Sequence, residues 1–248
     1  MIAHLGMYPF AHLNDAYDEL WAAVAARIDE APTALDRSLD LHSAWHSPEL
    51  LVGQTCGWPL VTQLEHVVEV IGAFDVNVPF ASNGSYRSVL VASKPIGIEE
   101  LRRNSATVVA VNGYESLSGW VSLQWAWGGR PATLLETGGH VLSMRAVASG
   151  EAHVASIDAM SFEFLAQVEP TTVSRLHIIG HGPSVGTLPL VMSKALAARR
   201  AEVRQAFAEA MLDPALSAVL ARLRINGFVP CELSDYEPLR SLVPPPAH

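Results

Sequence analysis

The 248-residue chain is poor in positive charge: Lys and Arg total 16 against 25 Asp and Glu, a formal net charge of −9. Phosphate backbones and anionic lipid surfaces call for a basic stripe, and none is present, so nucleic acid and direct membrane insertion are excluded as partners. Cysteine is scarcer still. Cys56 and Cys231 are the only two, too few for a disulfide framework or a four-sulfur metal site, and without CxxC spacing they read as free thiols. Long apolar runs are also missing. The longest stretch free of Asp, Glu, Lys and Arg, Leu176 to Ser193, is interrupted by two His, three Gly and two Pro, which is not the pattern of a membrane helix. No Lys or Arg precedes Arg27, so the chain as written reads as carrying no export signal.

What is present is apolar residue in quantity, 50% of the chain, enough to bury one large domain or two small ones and to exclude disorder. Short β-branched runs alternate with helical patterns. Ile2–Leu5, Leu50–Val52, Val67–Ile71 and Ser88–Ala92 read as strands. Asn14 can cap a helix with Ala16, Leu20, Trp21, Val24 and Ile28 on one face. The same grammar then restarts, with strands predicted at Thr107–Val111, Thr133–Leu135, Val154–Ile157 and Leu176–Ile179. Strands alternating with helices at this spacing imply parallel sheets built from βαβ units. From Ser193 the pattern is helix only: one helix broken at Asp213-Pro214, and a second running to Ile225 with Asn226-Gly227 as its stop. The Pro-rich tail from Leu242 to His248 is expected to fray.

The two rounds of α/β grammar predict two lobes: residues 1–90 and 187–248 in the first, 91–186 in the second. No linker rich in Pro or Gly separates them. Strand-like crossings near Val89–Val91 and Leu188–Val191 would join them as a hinge.

Small polar residues gather at three strand–turn–helix junctions: Gln54-Thr55-Cys56-Gly57, Ser116-Leu117-Ser118-Gly119 and Thr137-Gly138-Gly139-His140. The first amides of a helix lack internal partners and carry the positive end of its dipole. Several such ends converging would hold an anion without many cationic side chains. Any one junction alone is better explained as plain capping. Arg87, in an otherwise apolar strand beside Tyr86, suits an anionic ligand as a bidentate donor or an ion pair with Asp158. Of the six Trp, Trp21 and Trp125 are assigned to the core, with Trp58 and Trp120 left as walls of a binding cleft.

These pieces occur in an order that resembles a known family. Gln54-Thr55-Cys56-Gly57-x-Pro59, Tyr86-Arg87-Ser88-Val89, Asn112 through Ser118-Gly119-Trp120, Gly139-His140-x-x-Ser143, Val147 through Ala152 with Ile157-Asp158, and Asn226-Gly227-Phe228 follow one another along nearly the whole chain. The chain is similar to the phosphate/phosphonate-type substrate-binding proteins of ABC transporters. The resemblance implies a two-lobed periplasmic-binding-protein type II fold, each lobe a mainly parallel sheet flanked by helices, with a small anionic ligand in the cleft between them. It implies ligand contacts from Tyr8, Gln54, Thr55, Cys56, Gly57, Tyr86, Arg87, Asn112, Ser116, Ser118, Gly119, His140 and Asp158. Leu117 stands where the family usually carries a hydroxyl residue. A membrane permease is the implied partner and the periplasm the implied location, with the cytoplasm as the alternative. No cofactor, metal or catalytic residue is called for.

Two other constellations compete. Gly182-Pro183-Ser184-Val185-Gly186 fits the hydrolase elbow, but a strand rather than a helix follows it, and the only downstream His is His248. His42-x3-His46 and His177-x3-His181 have metal-ligand spacing, yet the first lacks the Glu of a zinc peptidase and the second spans a strand and a turn. A cytoplasmic enzyme or ligand sensor on the same scaffold stays open as the alternative function.

Overall fold

The computed structural model describes residues 1–242; of the tail expected to fray, Leu242 donates its amide to the Leu239 carbonyl at 3.0 Å, and 243–248 lie outside the described residues. Among the described residues twelve strands are formed: β1 (Ile2–His4), β2 (Leu50–Gln54), β3 (Val68–Val76), β4 (Ser85–Tyr86), β5 (Val89–Ala92), β6 (Val108–Val111), β7 (Thr133–Glu136), β8 (Val154–Ile157), β9 (His177–His181), β10 (Val185–Gly186), β11 (Pro189–Ser193) and β12 (Ile225–Val229). The chain divides into two compact units. Besides the three residues Val78–Phe80 and the segment from Pro238, which also belong to the second, it passes from the first to the second between Ser85 and Tyr86 and returns between Val185 and Gly186, within the two-residue strands β4 and β10. Tyr86 to Leu90, which the sequence assigns to the first lobe, fall in unit 2.

Unit 1 contains Met1–Asn77, Ala81–Ser85 and Gly186–Glu237. Its sheet has the order β1-β2-β11-β3-β12. β1 and β2 are parallel, β11 lies antiparallel between β2 and β3, and β12 is antiparallel to β3 at the edge. Every residue of β2 and of β11 is buried, the mark of strands covered on both faces. The helix Asn14–Ala25 buries Ala16, Leu20, Trp21 and Val24 as its spacing predicts, and the indole of Trp21 donates to the Pro32 carbonyl at 2.9 Å. On the helix Arg200–Met211, Phe207 stacks on Phe228 at 5.6 Å and meets Phe74 edge-on at 5.9 Å. Gly72 admits this cluster, because a Cβ there would lie 2.3 Å from the Phe228 ring.

β12 corrects the helix-only expectation for the C-terminal segment. The helix Ser217–Arg222 stops early, Arg224 adopts a left-handed φ of +55°, and the chain reverses. Ile225, Phe228 and Val229 then gain more by pairing with β3 than by extending a helix, so Asn226-Gly227 sits inside a strand at a register shift.

Unit 2 contains Val78–Phe80, Tyr86–Val185 and the described residues from Pro238. Its sheet order is β7-β6-β8-β5-β9. β7, β6 and β8 are mutually parallel, and β5 runs antiparallel to both β8 and β9. Both sheets are therefore mixed. The strands that follow the passages through β4 and β10, β5 and β11, each run against the direction of their neighbours. The helix His140–Ser149 ends at Gly150 in the left-handed conformation, and the helix Ala159–Val168 is capped by Asp158, whose Oδ1 accepts from the Ser161 amide at 2.8 Å. Trp125 corrects its core assignment: it is 47% exposed, since Leu123 and Gln124 occupy the inward face of its helix.

Candidate anion-binding site

The site in unit 2 is built where two parallel strands end. β6 finishes at Val111, and Asn112 follows it directly. Ser116, in extended conformation, caps the next helix by accepting the Gly119 amide on its Oγ at 2.9 Å. The first turn is widened: Trp120 and Val121 both donate to the Ser116 carbonyl at 3.0 Å, a π-type turn of the kind that re-aims side chains. The Ser156 hydroxyl of β8 donates to the Ser118 carbonyl at 2.5 Å and fixes this turn to the sheet.

The second helix start is anchored to the same place. Thr137 donates its amide to the Val111 carbonyl at 2.8 Å, and its hydroxyl lies 3.1 Å from that carbonyl and 2.7 Å from Ser143 Oγ. One carbonyl at the end of β6 thus ties down the turn that delivers His140, the first residue of its helix.

The ring of His140 brings the two junctions together. Its Nε2 lies 2.9 Å from Ser118 Oγ and 3.2 Å from Asn112 Nδ2. Ser116 Oγ is 3.5 Å from Ser118 Oγ. Gly119 is required by close approach: a Cβ there would stand 1.7 Å from Asn112 Oδ1 and 3.0 Å from Ser116 Oγ. Burial pushes the His140 imidazole below its usual pKa, opposed in part by the charge of Asp158, so the ring is neutral at pH 7. With the Asn112 amide nitrogen and the Ser118 hydroxyl both donating to Nε2, the single ring proton sits on Nδ1. His140 Nδ1 and Asn112 Oδ1 are both buried and find no partner. A closed core does not leave two polar atoms of one cluster unserved. The arrangement supplies hydroxyl, amide and imidazole donors at two helix starts, the composition suited to a small oxyanion.

Of the expected site residues, Asn112, Ser116, Ser118, Gly119 and His140 are brought together here. Asp158 and Tyr86 form a buried pair behind them, the tyrosine hydroxyl donating to Asp158 Oδ2 at 2.8 Å. The ion pair of Arg87 with Asp158 is not formed. Tyr86 is buried and Arg87, one residue on, is exposed, as alternation along an extended chain requires. Tyr8, Gln54, Thr55, Cys56 and Gly57 lie in unit 1. There Gln54 closes β2 with its Oε1 buried and unpartnered, the Thr55 amide donates to the Pro189 carbonyl at 3.0 Å, and Cys56 precedes a short helix beginning at Gly57. Sequence reasoning missed the hook from Ser156. Its signal was there to read, as the one hydroxyl in the apolar run Val154-Ala155-Ser156-Ile157. Cys56 and Cys231 form no disulfide. Among the described residues no group of three or more His, Cys, Asp and Glu could hold a metal ion, and no helix is long and apolar enough to cross a membrane.

The model of one protein family, described as ABC transporter, phosphonate, periplasmic substrate-binding protein, matches residues 62–236, a span that includes every residue of the unit 2 cluster. The chain belongs to this family. Solved structures share its fold. A binding-protein component of an ABC phosphonate transporter from Pseudomonas aeruginosa has a TM-score of 0.75 at 15% identity, covering 97% of this chain and 85% of that one. PhnD1 of Prochlorococcus marinus, in complex with methylphosphonate, also has a TM-score of 0.75, at 14% identity over 97% and 96%. A Xanthomonas citri protein bound to ATP reaches 0.67 at 14% identity over 97% and 95%. At such identities these likenesses show the fold alone. No curated protein matches the chain in sequence. Within the phosphonate-type substrate-binding family, the conserved task is capture of a small ligand for an ABC transporter.

Proposed function

We propose that Asn112, Ser116, Ser118 and His140 hold the anionic head of a small phosphonate- or phosphate-like ligand, and that this chain hands the ligand to a membrane permease in the periplasm. The reading is carried by the buried donor cluster in which the His140 Nδ1 proton lacks a partner. On ligand arrival the Ser116 and Ser118 hydroxyls turn their protons toward the oxyanion, and the helix starting at Leu117 presents its positive end. Each hydrogen bond to a charged oxygen is worth about 1.5–3 kcal/mol. Leu117, fully buried, contributes no hydroxyl to this grip. The net charge of −9 does not draw an anion from a distance, so affinity comes from these local dipoles and hydrogen bonds. The role needs no nucleophile, base or cofactor.

The test is calorimetric titration with methylphosphonate, phosphate, methylsulfonate and acetate, repeated on Ser118→Ala and His140→Ala. One of the oxyanions should bind to the unaltered chain, and each substitution should weaken it at least about tenfold. Affinity unchanged in both variants would remove the site from consideration.

A further inference from the structure

The helix Leu41–His46 in unit 1 carries two histidines four residues apart. Asp40 caps it, with Oδ1 accepting the Ser43 amide at 2.9 Å and Oδ2 the Ser43 hydroxyl at 2.7 Å. Ala44 and Trp45 turn inward, and the buried indole donates to the Gln54 carbonyl at 2.9 Å. One face of the helix is therefore fixed to the end of β2, and the other holds His42 and His46, both exposed. Positions four apart are neighbours on one helix face. The two imidazole rings lie side by side, with centroids 4.3 Å apart and planes tilted by 37°.

The ring of His46 is already held as a metal ligand is held. Its Nδ1 lies 2.9 Å from the His42 carbonyl, and a carbonyl only accepts, so Nδ1 donates its proton there. Histidine ligands use their second ring N–H in this way, which fixes the ring and leaves the distal Nε2 to the metal. A metal displaces any proton on Nε2, so the assignment holds in either charge state of the ring. Metal–imidazole bonds of about 2.0–2.1 Å put two nitrogens on one ion about 3–3.4 Å apart. Rings with centroids at 4.3 Å reach that separation by turning about their last side-chain torsion, without moving the backbone. Zinc peptidase helices place two histidine ligands at this same spacing. Among the described residues no group of three or more ligating side chains forms, so water fills the remaining positions. Paired imidazoles select zinc, nickel and copper over calcium and magnesium, which take oxygen ligands.

We propose that His42 and His46 form a two-ligand surface site for a divalent late transition-metal ion, zinc, nickel or copper, acting independently of the anion cluster. The test is calorimetric titration of the untagged full chain with zinc chloride, with calcium and magnesium chloride as controls, and electron paramagnetic resonance with one equivalent of copper(II). Zinc should bind and the hard cations should not, and the copper spectrum should show coupling to two imidazole nitrogens. His42→Gln and His46→Gln should each weaken zinc at least about tenfold, since loss of a mere supporting bond to a ligand already costs that much. Both positions are exposed, so the melting temperature of the metal-free chain should be kept. His66→Gln, at an exposed histidine beside Glu65, should leave the affinity unchanged. Ser118→Ala should lower anion binding and leave the zinc titration unmoved, so the two readings fail separately. No zinc binding, equal binding of calcium, zinc affinity undiminished in the double variant His42→Gln/His46→Gln, or a copper spectrum without two nitrogen ligands would overturn the proposal.

Discussion

Replacing Gly119 by alanine forces a decision on the cluster in unit 2. The new methyl would occupy a point 1.7 Å from Asn112 Oδ1, less than half the distance of an ordinary van der Waals contact. Either the Asn112 side chain leaves, giving up its bond to His140 Nε2, or the turn from Ser116 to Val121 moves off the sheet and strains the Ser156 hook. Overpacking of this kind costs about 1–3 kcal/mol, and a buried hydrogen bond left half-made about 1–3 more. The sum, roughly 2–6 kcal/mol, corresponds to a fall of roughly 5–20 °C in the melting of a unit this size. Gly113, in the same loop, is the control: a Cβ there meets nothing within 4 Å and its φ is not positive, so Gly113→Ala should be neutral or stabilising by a few tenths of a kcal/mol. Calorimetric melting read together with near-UV circular dichroism compares the two. Gly119→Ala melting with the unaltered chain, or Gly113→Ala falling as far, would refute the packing argument.

Three further outcomes follow from the same geometry. Because burial holds the native His140 pKa below that of the unfolded chain, the unfolded state takes up a proton first as pH falls. The stability tied to His140 is therefore complete above about pH 6.5 and is lost progressively below it; denaturant midpoints between pH 8 and 5 should decline less steeply in His140→Gln, and equal slopes would remove the burial argument. Tyr86→Phe leaves Asp158 Oδ2 without its hydroxyl donor in a buried site and should cost about 1–3 kcal/mol in urea unfolding, whereas Arg87→Ala, at an exposed position, should cost under about 0.5 kcal/mol. Ser156→Ala, which removes the hydroxyl that holds the Ser118 carbonyl, should weaken anion binding in calorimetric titration through the Ser118 turn, and unchanged affinity would count against that hook.

The sequence carried most of the local structure because its signals are local. Largely apolar runs such as Val89–Ala92 and Val154–Ile157 became buried strands, and Ser116 and Asp158 cap helices as their residue types predict. The gathering of Asn112, Ser118 and His140 was legible for the same reason: two strand–turn–helix junctions on parallel neighbours must open at the same end of a sheet. What was lost depends on distant partners. β12 was hidden because Asn226-Gly227 is the dipeptide of a stop, and only its pairing with β3, some 150 residues earlier, makes it a strand. The antiparallel entry of β5 and β11 is set by the passages between units, which no window of sequence displays. The ion pair offered for Arg87 with Asp158 was lost to strand parity, since a residue that alternates with a buried tyrosine faces out.

The central claim is that the hydroxyl and imidazole donors of unit 2 grip an oxyanion, and isothermal titration of methylphosphonate into the unaltered chain and into Ser118→Ala tests it most directly. The account predicts a saturable heat that weakens by about 10- to 150-fold on removal of the one hydroxyl. A titration in which the two proteins bind methylphosphonate, phosphate and methylsulfonate with the same affinity, or in which neither binds any of them, contradicts it.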